Sequence, residues 1–155
     1  MKILKLFFLV ILSITASAQT QIGVDIDGDN PFDFYGNSVS LSSDGSILAL
    51  GSTNSSLQHN RVYKDSSGTW VQLGADIYLQ GYGTSVSLSS DGTILAIGSP
   101  ENSDSLYLMG KVQVYGYSSG SWSQLGADID GEAADDRSGF SVSLSSDGTI
   151  VAIGA

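Results

Sequence analysis

The chain has 155 residues, 41% hydrophobic and 14% charged, which is one domain's worth of sequence with enough apolar residues for a packed core and too little charge for a disordered tail. It contains no cysteine, so disulfides, zinc-thiolate sites and cysteine nucleophiles are excluded. Six basic residues face 16 acidic ones, a net charge of −10. That balance makes nucleic acid or an anionic membrane surface a poor partner.

The first element is a targeting segment. Met1-Lys2-Ile3-Leu4-Lys5 is basic, Leu6 to Leu12 is an apolar run, and Ala16-Ser17-Ala18 supplies small residues at a cleavage position. This order is that of a secretory signal peptide over 1–18. The apolar run is too short for a comfortable permanent span. The expected location is therefore secreted, extracellular or at the cell surface, with no membrane span after cleavage.

The remainder, 19–155, repeats itself. Gly36 to Gly51 returns as Gly83 to Gly98 and again as Gly139 to Gly154. A second block, Val62-Tyr63 to Ile77 with Trp70 inside it, returns 52 residues later as Val114-Tyr115 to Ile129 with Trp122. Gln21 to Ile26 is a partial copy of the end of that block. The units lie near 36–77, 83–129 and 139–155, the last incomplete. A period of roughly 50 residues falls in the range of propeller blades.

Each unit opens with a predicted hairpin around Asp-Gly, read as a two-residue type I′ loop. That register sets Val39 opposite Leu50 and Leu41 opposite Leu48. It sets Val86 opposite Ile97 and Leu88 opposite Leu95, then Val142 opposite Ile153 and Leu144 opposite Val151. The bulky residues share one face, while Ser40, Ala49 and their counterparts share the other. A one-residue slip would exchange the faces, so the register is well specified. Third and fourth strands follow, about Val62 to Lys64 and Trp70 to Leu73, then Val112 to Tyr117 and Trp122 to Leu125. The predicted fold is all-β, a partial β-propeller of four-stranded repeats with about eleven strands, expected as a fragment of a longer array. As a fragment it is expected to self-associate, because open strand edges bearing apolar side chains template association.

Ser138-Gly139-Phe140-Ser141-Val142, the hairpin, and Ile153-Gly154-Ala155 resemble the FG-GAP repeat of integrin-α-like β-propellers of secreted bacterial surface proteins. Gly98-Ser99-Pro100 stands at the GAP position of the second unit. The resemblance implies a secreted or surface propeller that binds proteins or glycans. The family's calcium loop is absent at its usual place, where only Ser-Asp-Gly stands, as at Ser43-Asp44-Gly45. A turn that short cannot gather the oxygens that calcium takes.

Carboxylates cluster elsewhere, at Asp25, Asp27 and Asp29 and again at Asp128 and Asp130. The spacing is that of part of a calcium loop, with Asp33 or Asp135 as further ligands, or of solvated acidic turns. Asp44, Asp91 and Asp147 read as turn residues. His59, in a polar stretch, reads as an exposed loop residue, and no nucleophile elbow accompanies it. Trp70 and Trp122, with Tyr35, Tyr82, Tyr115 and Tyr117, are candidates for a sugar-stacking surface, with packing between units as the alternative role of the repeated Trp. Tyr35 and Tyr82, in loops between units, are the candidate binding residues. No catalytic constellation stands out. The expected role is a non-catalytic module for protein or glycan ligands. The alternatives are an accessory region of a secreted hydrolase with its catalytic part beyond residue 155, or a structural adhesion scaffold.

Overall fold

The computed structural model describes residues 20–29, 34–53, 59–79, 85–104 and 106–155. The targeting segment, Asp33 and Tyr82 lie outside them. The described residues form twelve strands and no helix, in agreement with the expected all-β class. No helix among them is long and apolar enough to cross a membrane.

The first sheet holds β1 (Ser38–Leu41), β2 (Ile47–Gly51), β3 (His59–Asp65) and β4 (Trp70–Gln72) in sequence order. A short strand β5 (Ile77–Tyr78) pairs with the start of β3. The second sheet repeats this plan with β6 (Ser85–Leu88), β7 (Ile94–Ser99), β8 (Lys111–Ser118) and β9 (Ser121–Gln124), and β10 (Ile129–Asp130) pairs with β8. The third is the hairpin β11 (Ser141–Leu144) and β12 (Val151–Gly154). All named strand pairs are antiparallel.

The three hairpins adopt the register that alternation demands. Val39 pairs with Leu50, Val86 with Ile97, and Val142 with Ile153. The turn differs from expectation. Gly45 has φ 73°, but Asp44 is not at positive φ, so the loop is not type I′. Instead the Ser42 amide reaches the Ile47 carbonyl at 2.9 Å, and the Gly45 amide reaches the Ser42 carbonyl at 2.9 Å. The Asp44 carboxylate accepts the Ser46 amide at 2.9 Å and the Ser42 hydroxyl at 2.7 Å. Asp91 and Asp147 repeat the arrangement. The carboxylate ties the turn together from an ordinary backbone conformation, as Asp does in side-chain-closed turns.

The two-residue turn with both residues at positive φ occurs at the outer hairpins. Ser67 and Gly68 have φ 56° and 86°, and Ser119 and Gly120 have φ 53° and 85°. These are the values a type I′ turn requires.

The core lies between the first two units. Val86, Leu88, Leu95 and Ile97 from the bulky face of the second hairpin pack with Ile47 and Ala49 from the small-residue face of the first. Serine hydroxyls line the seam. Ser38 and Ser40 accept the amides of Val86 and Leu88 at 3.0 and 2.9 Å, and Ser87 accepts that of Leu144 at 2.9 Å. Each bond gives an acceptor to an outward-facing, part-buried N–H on an edge strand, β6 or β11.

Candidate binding cleft between the first two units

The cleft is built on Gly74, whose φ of 81° turns the chain from β4 toward β5. A side chain there would meet Trp122, because a Cβ built on Gly74 would lie 2.9 Å from the Trp122 ring. The indole lies over this glycine and donates its Nε1–H to the Leu73 carbonyl at 2.8 Å. Tyr117 supports it at a ring-centroid distance of 5.1 Å. Trp70 stands in the same relation to Gly23, with its ring 3.5 Å from a Cβ built there. The repeated Trp therefore packs between segments of neighbouring units, one of its two anticipated roles.

Beside Trp122 opens a cleft of about 320 Å³ lined by Asp76, Tyr78, Tyr115 and Ser121 among others. Tyr78 is exposed, whereas Trp122 and Tyr115 are half-buried. Tyr115 donates its hydroxyl to Gln113 at 3.2 Å. Burial pushes its phenol above the ordinary range. Asp76 is fixed from three directions. Arg61 donates through Nε and Nη2 at 2.8 and 3.0 Å, and Gln72 donates at 2.6 Å. The Arg61 hydrogen bonds hold the Asp76 carboxyl below its usual range against the opposing effect of burial. The result is an aromatic wall beside an anchored, ionised acceptor and the Ser121 hydroxyl, which donates to the Ser118 carbonyl at 3.3 Å. Such a surface offers stacking area and hydrogen bonds. A second cleft of about 400 Å³ sits where β1, β6 and β11 begin, lined by serines, Val86, Val142 and Phe140, with no charged group.

The candidates named from sequence scatter. Tyr35 is half-buried in a turn. Its ring centroid lies 5.3 Å from that of His59, and the Arg61 guanidinium sits 5.4 Å over the ring. Burial raises its phenol above the ordinary range. His59 is not an exposed loop residue. It opens β3, pairs with Tyr78 in the ladder, and is buried against the Tyr35 and Tyr78 rings.

Three of the carboxylates first considered for a cation, those of Asp25, Asp29 and Asp128, meet partners from the chain itself. Asp25 accepts from Gln21 at 2.8 Å, and Asp29 pairs with the Arg61 guanidinium. Asp128 accepts from Lys111 at 2.9 Å, from Gln113 at 2.6 Å and from Gln124 at 2.7 Å. Asp130 is a strand residue opposite Lys111, not part of a turn. Asp27 is exposed, and Asp135 donates its amide to the Tyr107 carbonyl at 2.9 Å. Among the described residues no three His, Asp or Glu side chains gather as a metal would need.

Sequence reasoning missed Asp76 and Tyr78. A signal for Asp76 was present: Gln21–Asp25, Gln72–Asp76 and Gln124–Asp128 share a spacing and the same side-chain hydrogen bond, at 2.8, 2.6 and 2.7 Å. Tyr78 occupies the place held by Asp27 and Asp130 in the other copies, so it departs from the pattern where the cleft opens. Compared with protein-family models and with curated proteins, the chain matches none.

Proposed function

We propose that this chain is a non-catalytic extracellular module, a partial β-propeller of the FG-GAP type, that binds glycan or protein ligands in the cleft between its first two units. The observation that carries this reading is the aromatic wall of Tyr78, Tyr115 and Trp122 beside the anchored Asp76. An aromatic face covers the apolar C–H side of a sugar ring or a flat side chain, and an ionised carboxylate accepts the ligand's hydroxyl or amide. The charged start, apolar run and small-residue site at the N-terminus support export.

Fluorescence titration tests the reading, since Trp122 lines the cleft and Trp70 lies outside it. Soluble oligosaccharides and extracellular peptides are titrated into the chain and into Trp70→Phe. A saturable change is expected with a member of one class, weakened at least tenfold by Tyr78→Ala. A ligand whose binding is unaffected by Tyr78→Ala, or the failure of both classes to change the Trp122 signal, overturns the proposal.

A further inference from the structure

The cleft beside Trp122 has a hydrogen-bonding polarity of its own. Among the described residues that line it, Asp76 is the one charged group. Three donors already reach its carboxylate. Oδ1 accepts Arg61 Nε at 2.8 Å and Gln72 Nε2 at 2.6 Å, and Oδ2 accepts Arg61 Nη2 at 3.0 Å. A carboxylate has about four acceptor positions, so one remains, on Oδ2. The neighbouring polar groups have their protons committed. Tyr115 donates to Gln113 at 3.2 Å, Ser121 to the Ser118 carbonyl at 3.3 Å, and Trp122 to the Leu73 carbonyl at 2.8 Å. What the walls hold out is therefore acceptor lone pairs and aromatic rings, with the exposed Tyr78 phenol able to act either way.

The charge here is negative in excess. Arg61 is the cation beside Asp76, and it is shared with Asp29. Two carboxylates against one guanidinium leave one negative charge uncompensated. The whole chain carries −10, a field that draws cations from a distance. Aromatic faces attract cations as well, and Tyr78, Tyr115 and Trp122 stand beside the carboxylate.

A ligand group that fits is positively charged and only donates. A guanidinium meets a carboxylate best through two parallel bonds, and Arg61 already takes both oxygens of Asp76. An ammonium is a compact donor that needs a single acceptor position. A sugar ring brings hydroxyls that accept as well as donate, to walls whose protons are mostly spent. We propose that the occupant of this cleft is a lysine side chain of a protein partner, its ammonium donating to Asp76 and its methylene stem lying along the Tyr78, Tyr115 and Trp122 rings. The proposal rests on the reading of this cleft as the binding site and names the group it takes.

Trp122 fluorescence in the Trp70→Phe chain tests it. The probes are capped pentapeptides with a central lysine, norleucine, arginine or glutamate between glycines, a neutral oligosaccharide and a glucosamine oligomer. The lysine peptide is expected to give a saturable change that Tyr78→Ala weakens. Norleucine keeps the stem and loses the charge, so its peptide should bind at least about tenfold more weakly. Added salt should weaken the lysine peptide and spare the norleucine one. Asp76→Asn should abolish the preference for lysine over norleucine. That variant could also unseat Arg61, so its melting curve is compared with wild type, and the lysine–norleucine comparison on the unaltered cleft stands without it. Lysine and norleucine peptides that bind equally, or an arginine or glutamate peptide that binds more tightly than lysine, overturn the proposal. A neutral oligosaccharide or glucosamine oligomer that outbinds the lysine peptide and is weakened by Tyr78→Ala also overturns it, while leaving the cleft as the binding site. No Tyr78-dependent change with any probe overturns both the lysine assignment and the cleft.

Discussion

Gly92 has no side chain where Ile47 of the preceding unit fills the space, and a Cβ built there would lie 2.7 Å from the Ile47 Cβ. The contact explains why the first turn cannot be judged from its own sequence. Gly45, Gly92 and Gly148 have φ 73°, 71° and 71° in matching turns, yet only the latter two meet a neighbour. Gly45→Ala should cost only the left-handed backbone strain, about 1–2 kcal/mol. Gly92→Ala and Gly148→Ala should lose a further amount of roughly 1–3 kcal/mol from overpacking against isoleucine. Chemical denaturation of the three variants at high dilution checks the ranking, and equal losses would sink it.

How much was legible in the sequence follows from the same turns. Strand register is set by which side chains share a face, and Val39, Leu41, Leu48 and Leu50 state that directly. Turn type is set by backbone dihedrals, and Asp44 can close a turn through its carboxylate without entering the left-handed region. Ser67 and Ser119 take that region instead, although serine does not advertise it. His59 was misread because its neighbours in sequence are polar, whereas its burial comes from β5 and Tyr35. Of the cleft, the Trp–Gly seam was accessible from the repeat, but Tyr78 was hidden because it breaks the repeat.

The serine hydroxyls at the seams are expected to be structural. Ser87→Ala leaves the Leu144 amide without its acceptor, and Ser40→Ala does the same to the Leu88 amide. An unsatisfied buried N–H costs about 1–3 kcal/mol. Hydrogen exchange should be faster at Leu144 in Ser87→Ala and at Leu88 in Ser40→Ala. Unchanged protection at both amides would remove the hydroxyls from the account.

Acid should loosen the hairpin turns. The Asp44 carboxyl is held down to about 2, foremost by the Ser46 amide, and Asp147 to about 2, foremost by the Ser145 hydroxyl. Asp128 is held to about 2 by Gln113 and Lys111. A carboxyl lower in the folded chain than its ordinary 3.8 adds stability that is fully present above that value. The contribution is lost as pH falls through about 2. Melting temperature should therefore decline from about pH 4 downward, and Asp128→Asn should flatten that slope. A flat profile across this window would contradict the turn geometry.

Trp122→Phe should be costlier than its small change in volume suggests. Phenylalanine keeps an aromatic ring over Gly74 but leaves the Leu73 carbonyl without the indole donor. The expected loss is about 1–3 kcal/mol, read from urea titration followed through Trp70 fluorescence. A variant as stable as wild type would show that this hydrogen bond adds nothing.

Because Leu95 and Ile97 of one unit share a single apolar cluster with Ile47, Val62 and Ile77 of the other, neither unit owns a core that survives alone. Pulling or proteolytic nicking at either one should release both in a single step, with no half-folded plateau between. Swapping in foreign units would then succeed only when both sides of a seam are exchanged together.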